Sequence, residues 1–499
     1  MNNKKVIIIL CLIVVLGFAL RAYKLGAKPF VTDEFLDINS TYGYYKTGHW
    51  LAWDFNSDKV SENLYAPRDE RAPLYRWQVA QLFHWFQPTE AVARSVSVMW
   101  GIIGIIVLYL AGTYFSSKKE VGLLSAFLFS VSPAGVEIDR MLRMYAMFMP
   151  VFLLFSWFLF RFFEEEYRGK ITVFRKIYEH FGLNIIWLPA AALLGIISWY
   201  THILTANIGV AIFAYLLFNF SRHFFAKKKL TLNKYAVALV AVLLSFGLFY
   251  FIFSEKVSAY SQFFTFFKFN SKYFYAIVSD YTNFILAYVF IFLGAYALNK
   301  NTGLSKKAAW IFASFFSILA AAIFIWSLGF GLRFIFFAMP FGIIMISAGI
   351  YHAAKLISEN SLRFKNSIFA GFLVVSLLVL PNYSRLFGSD NFYQQTEDSP
   401  DYRKIFAYIA KNGAPGDALI TRNFRSFYFR NAKFNVIPIK WEQSISLDEL
   451  NQVVSENSAI WTVFGNGKGS FDKEALRFIK NNFQLKKEIT GEGIYKWEK

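Results

Sequence analysis

The sequence predicts a polytopic α-helical membrane protein with about eleven spans and a soluble C-terminal α/β domain. Three observations carry that expectation. Hydrophobic residues fill 56% of the 499 positions, against about 45–50% in soluble domains, and the mean hydropathy is +0.38. Windows of about 18–20 nearly uncharged residues recur, the length that crosses about 30 Å of hydrocarbon. Apolar density then falls after about residue 387, where polar residues return.

The spans read as 6–20, 92–113, 121–137, 147–163, 184–199, 203–220, 235–253, 281–298, 308–328, 334–353 and 367–386. With Lys4 and Lys5 in the cytoplasm, counting across puts Lys118 and Lys119 inside, then Arg168, Lys170, Arg175 and Lys176. Arg222 with Lys227, Lys228, Lys229 and Lys234 follows, then Lys300, Lys306 and Lys307, then Lys355, Arg363 and Lys365. The short outer loops hold only Arg140 and Arg143, Lys256, Lys268 and Lys272, and Arg333. This is the positive-inside bias, and it predicts a protein of the cytoplasmic (inner) membrane with its N-terminus in the cytoplasm. The first span is short enough to fit a cleaved signal peptide as well.

The same distribution explains the net charge of +19. The basic residues collect in loops between spans and form no soluble module interleaved with aromatics, so nucleic acid is not an expected partner. Cys11, the single cysteine, lies inside the first apolar run, which excludes a disulfide framework and a cysteine-based zinc site.

Parity defines two domains, a transmembrane domain over 1–386 and an extracytoplasmic one over 387–499, with an outer loop at 21–91. In the tail, Asp401–Lys411 has a helical pattern and ends at Asn412-Gly413, a C-cap signal. Ala418–Thr421, Phe434–Lys440 and Ala459–Phe464 read as strands, and Leu447–Ser455 and Asp472–Asn481 as helices. The glycine-rich run Gly465-Asn466-Gly467-Lys468-Gly469 lacks Walker spacing and reads as a surface turn.

The outer loop carries an acidic pair, Asp33-Glu34, just past the first span. Thr32 suits the cap of a following helix, and acids in a first turn suit its dipole. Phe35, Ile38, Tyr42 and Tyr45 recur at helical spacing, as in a helix lying along the membrane surface. Asp33 and Asp37 fall one turn apart on a common face. Acids favouring a helix start, with no chemistry, account for this pattern as well as a catalytic site does.

Further features surround the pair. Leu20-Arg21-Ala22-Tyr23-Lys24-Leu25-Gly26 precedes Thr32-Asp33-Glu34. Arg71-Ala72-Pro73-Leu74-Tyr75, Ala93-Arg94-Ser95-Val96-Ser97 and Arg143-Met144-Tyr145-Ala146 follow, then Trp199-Tyr200-Thr201-His202 and Leu332-Arg333-Phe334. In this order they resemble the polyprenyl-phosphate-sugar-dependent glycosyltransferases of the GT-C fold, family 39, which includes protein O-mannosyltransferases, with the aminoarabinose transferases of lipid A close by. The resemblance covers about residues 10–350, and the tail resembles the outward α/β domain of many bacterial members.

The resemblance implies transfer of one sugar from a polyprenyl-phosphate donor to an acceptor on the extracytoplasmic face, with inversion. Asp33 matches the family's general base, a role carboxylates serve by taking a hydroxyl proton; Glu34 would position the acceptor or bind metal. Arg143 and Arg333, at outer ends of spans, are the candidate donor-phosphate ligands, since the guanidinium fork meets phosphate oxygens two at a time. A local ion pair between Arg143 and Asp139, one turn earlier, is the alternative for the first. Arg71, Tyr75, Asp139, Tyr145 and His202 are weaker substrate-binding candidates. A divalent metal ion, if used, would take Glu34, Asp139 or Glu137. Two departures matter. Relatives often carry His-Pro-Pro-Leu-Tyr at Arg71–Tyr75, and a Glu where this chain has Met141.

A transporter or flippase of lipid-linked sugars without transferase activity is the competing expectation. It accounts for the spans, but not for the large tail or for acids gathered in an outer loop instead of mid-membrane. The acceptor is open among lipid, glycan and protein. The tail, the loop 254–280 and residues 46–70 are the segments expected to select it.

Overall fold

The computed structural model describes residues 2–30, 32–62, 71–227, 234–252, 269–276, 278–279, 284–300, 302–326, 331–360, 367–379, 400–439, 444–465 and 470–499. Lys228, Lys229, Lys256, Lys268, Arg363, Lys365, most of the loop 254–280, residues 63–70, the glycine run past Gly465 and the end of the eleventh span lie outside these residues. The chain divides into two compact units. One comprises Met1–Tyr23, Ser97–Arg140 and Met144–Phe392; the other, Lys24–Val96, Met141–Arg143 and Tyr393–Lys499.

In chain order the first helices are α1 (Asn3–Ala22), α2 (Thr32–Thr47), α3 (Pro73–Leu82), α4 (Glu90–Ser116), α5 (Lys119–Ser130) and α6 (Pro133–Ile138). Next come α7 (Tyr145–Glu164), α8 (Thr172–Phe181), α9 (Leu188–Thr201), α10 (Asn207–Lys227) and α11 (Lys234–Ile252). Phe284–Lys300, Ser305–Phe324, Met339–Asn360 and Ser367–Val379 are the later apolar helices.

All eleven apolar stretches are thus helical over most of their described length. Among the described residues six helices are long and apolar enough to cross a bilayer alone: Asn3–Ala22, Glu90–Ser116, Tyr145–Glu164, Ile203–Phe225, Ser305–Phe324 and Phe336–Glu359. The third stretch is shorter because Pro133 restarts the chain as α6, with the Ser132 hydroxyl capping the Gly135 N–H at 3.0 Å. The fifth is bent. Thr172–Phe181 and Ile185–Thr201 meet at 111°, and α8 itself replaces what reads in sequence as a plain basic loop.

Small residues bring these helices together. A Cβ on Gly294 would lie 1.9 Å from the Met345 carbonyl, and one on Gly349 would lie 2.1 Å from the Phe290 carbonyl. The helices Phe284–Lys300 and Met339–Asn360 therefore touch backbone to backbone, the contact that glycine permits between apolar helices.

The second unit joins the outer loop and the tail, which parity alone assigns to different domains. In the outer loop β1 (Trp53–Asp54) pairs antiparallel with β2 (Lys59–Val60). The tail has β3 (Ala418–Thr421), β4 (Asn435–Pro438), β5 (Ala459–Gly465), β6 (Gln484–Ile489) and β7 (Glu492–Glu498), in the sheet order β4-β3-β5-β7-β6. β3 pairs in parallel with β4 and β5, and the β6–β7 hairpin closes the sheet antiparallel to β5. The three strands and three helices expected from the sequence are present. The hairpin was not expected: Gln484–Ile489 is an edge strand rich in exposed lysine and glutamate, with little apolar alternation to betray it. Its turn, Thr490-Gly491 with φ of 50° and 76°, is the two-residue hairpin type that matches strand twist.

The loop docks on the tail through specific polar contacts. The Asn56 side chain exchanges hydrogen bonds with the Phe434 backbone, donating at 2.9 Å and accepting at 3.0 Å. The Tyr428 hydroxyl accepts from the Phe30 N–H at 2.6 Å and donates to Glu90 at 2.9 Å. Arg403 donates to the carbonyls of Gly26 and Ala27. This packing corrects the reading of α2 as a helix along the membrane surface. Phe35 and Ile38 are fully buried and Tyr42 nearly so. The Phe35 ring meets Tyr402 and Tyr428 at 5.8 and 5.6 Å, and the Tyr42 ring meets Phe55 at 4.6 Å. The apolar stripe faces protein.

Candidate active site

The first turns of α2 present three carboxylates, Asp33, Glu34 and Asp37, and three arginines of the same unit meet them. Arg94 grips Glu34 with both arms of its fork, Nε to Oε1 at 2.9 Å and Nη2 to Oε2 at 2.7 Å. Its remaining donors reach the carbonyls of Leu25, Lys28 and Pro29, and its guanidinium lies over the Phe30 ring. Glu34 Oε1 also accepts the Leu142 N–H at 2.7 Å. Asp37 takes Arg76 on Oδ1, from Nε at 2.8 Å and from Nη2, while Arg143 Nη1 meets its Oδ2 at 2.6 Å. Arg76 also donates to the Ser40 hydroxyl.

These groups are buried, so their pairing is a requirement. An ion left unpaired there costs several kcal/mol. Asp33 is the different one. Its side chain keeps 30% of its surface exposed, against 1% for Glu34 and 2% for Asp37. Arg143 Nη2 stands 3.9 Å from Asp33 Oδ2, and Nη1 donates to the Asp33 carbonyl at 3.3 Å. The arrangement therefore has one partly exposed carboxylate in the first turn of α2, set beside an arginine that buried Asp37 holds in place.

In the first unit a further pair fixes the chain that leads to Arg143. Arg21, fully buried near the end of α1, donates from Nε to Asp139 Oδ2 at 2.8 Å. It also donates to the carbonyls of Gly17, Ser130 and Phe129. Burial raises the Asp139 carboxyl to about 6, with Arg21 pulling the other way. Arg140 reaches back to the Leu20 and Arg21 carbonyls. Asp139 is thus paired with Arg21, and Arg143 with Asp37; the local pairing of Asp139 with Arg143 does not form.

Other sequence candidates in the first unit gather round His202. It ends α9, and its Nδ1 accepts the Leu204 N–H at 3.1 Å, so in the neutral ring the proton sits on Nε2. The rings of Tyr145 and Phe148 each lie 5.2 Å from it. Tyr145 also meets Phe334 at 6.4 Å, and the neighbouring Arg333 guanidinium lies over that same Phe334 ring. Half-buried Arg333 follows Gly331, whose N–H donates to the Tyr273 hydroxyl at 3.3 Å. In the second unit Arg71 is exposed and Tyr75 buried at the start of α3, just after Ala72 in the left-handed region at φ 51°.

The acids named as metal candidates do not fit a metal site. Glu34 is committed to Arg94 and a backbone N–H, Asp139 is committed to Arg21, and Glu137 is exposed. Among the described residues no three side chains of the metal-ligating kinds come together.

Sequence reasoning missed the roles of Arg21, Arg76, Arg94 and Asp37. Arginine next to or inside an apolar run was the available signal for Arg21 and Arg94, because such a charge demands a partner. Arg76 gave none, since α3 was not expected.

No protein-family model matches the chain, and no curated protein matches it in sequence. Solved structures do match. ArnT from Cupriavidus metallidurans bound to undecaprenyl phosphate aligns with a TM-score of 0.59 at 13% identity, over 99% of this chain and 98% of that one. The archaeal oligosaccharyltransferase AglB from Archaeoglobus fulgidus, in complex with an inhibitory peptide and a dolichol-phosphate, aligns at 0.62 and 10% identity. That match covers 93% of this chain and 70% of the other. A further AglB structure, with zinc and sulfate, aligns at 0.60 and 10% identity over 91% and 67%. The fold is therefore GT-C, as the resemblance implied, and the chain is an integral membrane protein of that fold.

Proposed function

We propose that this protein is a glycosyltransferase of the extracytoplasmic membrane face. It moves a sugar from a polyprenyl-phosphate donor to an acceptor hydroxyl or phosphate. One observation carries the reading: of three carboxylates at the start of α2, two are buried under arginines and the third, Asp33, is accessible. The lipid phosphates bound in ArnT and AglB support the donor class.

In this reading the acceptor oxygen attacks the anomeric carbon while Asp33 takes its proton, general-base work. The bond from that carbon to the phosphate oxygen breaks, and the polyprenyl phosphate leaves with the electron pair. A single displacement inverts the centre. Arg143 positions Asp33, its own charge balanced by Asp37. In the first unit Arg333, Tyr145 and His202 are proposed as donor-binding residues, the guanidinium for phosphate charge and the hydroxyl and ring N–H for donor oxygens. Arg71 and Tyr75 belong to the acceptor side.

The test is transfer of labelled sugar from polyprenyl-phosphate donors to a membrane extract by purified protein, beside Asp33→Asn. Transfer by wild type alone is expected. Equal transfer by both moves the base elsewhere. No transfer from any donor, by folded protein that binds polyprenyl phosphate, favours a flippase.

A further inference from the structure

The helix α8 stands apart from everything assigned above. It connects α7 to α9, yet none of its residues is fully buried. At 100° per residue, Ile171, Val173, Phe174, Ile177, Tyr178 and Phe181 fill one continuous sector of about 160°. Thr172, Arg175, Lys176, Glu179 and His180 fill the other. Phe174, Ile177 and Tyr178 are half-buried, with the Tyr167 ring 6.1 Å from Phe174. Ile171, Val173 and Phe181 remain exposed at 53%, 62% and 52%. A helix with this segregation in water would cover its apolar side with protein, and here the protein covers only part of it.

Its place in the chain says what covers the rest. α7 is long and apolar enough to cross the bilayer, and α8 follows it after seven residues. The chain then turns by 111° into the apolar segment Ile185–Thr201. Gly182, at φ 66°, caps α8 in the left-handed conformation and makes that turn without strain. A segment tied between a membrane-crossing helix and a further apolar helix, and bent sharply from the latter, sits at the level of the headgroups. Its charge fits that place. Arg168 is paired with Glu166 at 3.2 Å, which leaves Lys170, Arg175 and Lys176 against Glu179 on and beside α8. Cations at the edge of an apolar face attract anionic lipid.

We infer that α8 is an interfacial anchor, lying in the plane of the cytoplasmic leaflet with its apolar face among acyl chains and its basic residues on anionic headgroups. The leaflet follows from the lysine and arginine bias of the loops, and the inference does not depend on the transferase reading. The consequence is mechanical. α7 and α9 carry Tyr145 and His202 at the ends opposite α8, so a float at this level sets their depth.

The experiment uses the full chain with Cys11 replaced by serine, reconstituted in vesicles of phosphatidylcholine alone or with phosphatidylglycerol. A polarity-sensitive fluorophore is placed on Phe181→Cys or on Glu179→Cys. With phosphatidylglycerol present, the label at 181 is expected to report an apolar setting and to be quenched severalfold more by lipid-chain nitroxide than by iodide. The label at 179 should show the reverse. Lys170→Gln, Arg175→Gln and Lys176→Gln together should return the 181 label to water. Iodide quenching both labels equally in anionic vesicles overturns the proposal. So does shielding of 181 from both quenchers, which would mean protein covers it. Equal lipid quenching with and without phosphatidylglycerol overturns the anionic recognition. Iodide delivered inside or outside vesicles of known protein orientation checks the leaflet.

Discussion

Arg94 holds Glu34 through both oxygens, at 2.9 and 2.7 Å, and the pair is almost wholly out of solvent. Glu34, the second half of the acidic pair, is thereby a structural counter-ion, and the expected phenotype of its loss is instability. Glu34→Gln leaves the Arg94 charge buried without its partner, at a cost of about 3–5 kcal/mol. Thermal unfolding in detergent should show a large fall. Arg94→Lys should not restore what Arg94→Ala loses, because an ammonium cannot span both oxygens and three carbonyls. An unchanged midpoint with lost transfer would instead make Glu34 a chemical group.

Asp37 links two buried arginines, so its loss should lower the unfolding midpoint as the loss of Glu34 does, and should also act on the chemistry through position. Asp37→Asn weakens the hold on Arg143, which stands 3.9 Å from Asp33. A small displacement of a reacting group costs about 10²-fold in rate. The expectation is a fall of that size in kcat with KM little changed, while Asp33→Asn, at the accessible acid, falls about 10²–10⁴-fold. Steady-state kinetics with the midpoint measured alongside separates this from unfolding.

Much of this was legible in the residues, and the reasons for the rest are specific. The spans were legible because a bilayer demands long apolar runs, and the tail helices because of their helical apolar pattern and, for the first, the stop at Asn412-Gly413. Asp33 was marked out by its neighbours in sequence. Which of three acids stays exposed was not, since that depends on Arg76, Arg94 and Arg143 arriving from 39 to 110 residues away. The apolar stripe of α2 was visible. What it faces was not, because a membrane and an aromatic tail domain ask for the same periodicity.

The docking of loop and tail rests in part on Tyr428. Tyr428→Phe strands the N–H of Phe30, which is 1% exposed, and removes a donor from Glu90. An unsatisfied buried group costs about 1–3 kcal/mol. Limited proteolysis should cut the outer loop faster in this variant, with transfer at low temperature retained. Unchanged proteolysis would show that the aromatic contacts suffice.

The Arg21–Asp139 pair predicts a pH dependence of stability. The folded Asp139 carboxyl, lifted to about 6 from its ordinary 3.8, holds a proton that the unfolded chain has released. Its contribution is therefore fully present below 3.8 and is lost as pH rises through about 6. The slope is at most about 1.4 kcal/mol per pH unit for one proton. Unfolding midpoints taken across this window should rise toward acid in wild type, and Asp139→Asn should lack that component. The same slope in both would remove Asp139 as its source. Gly101→Ala gives a second arm, since its Cβ would lie 2.4 Å from Asp139 Oδ2 and 2.8 Å from Arg21 Nε. It should lower the midpoint at every pH by disrupting the pair itself.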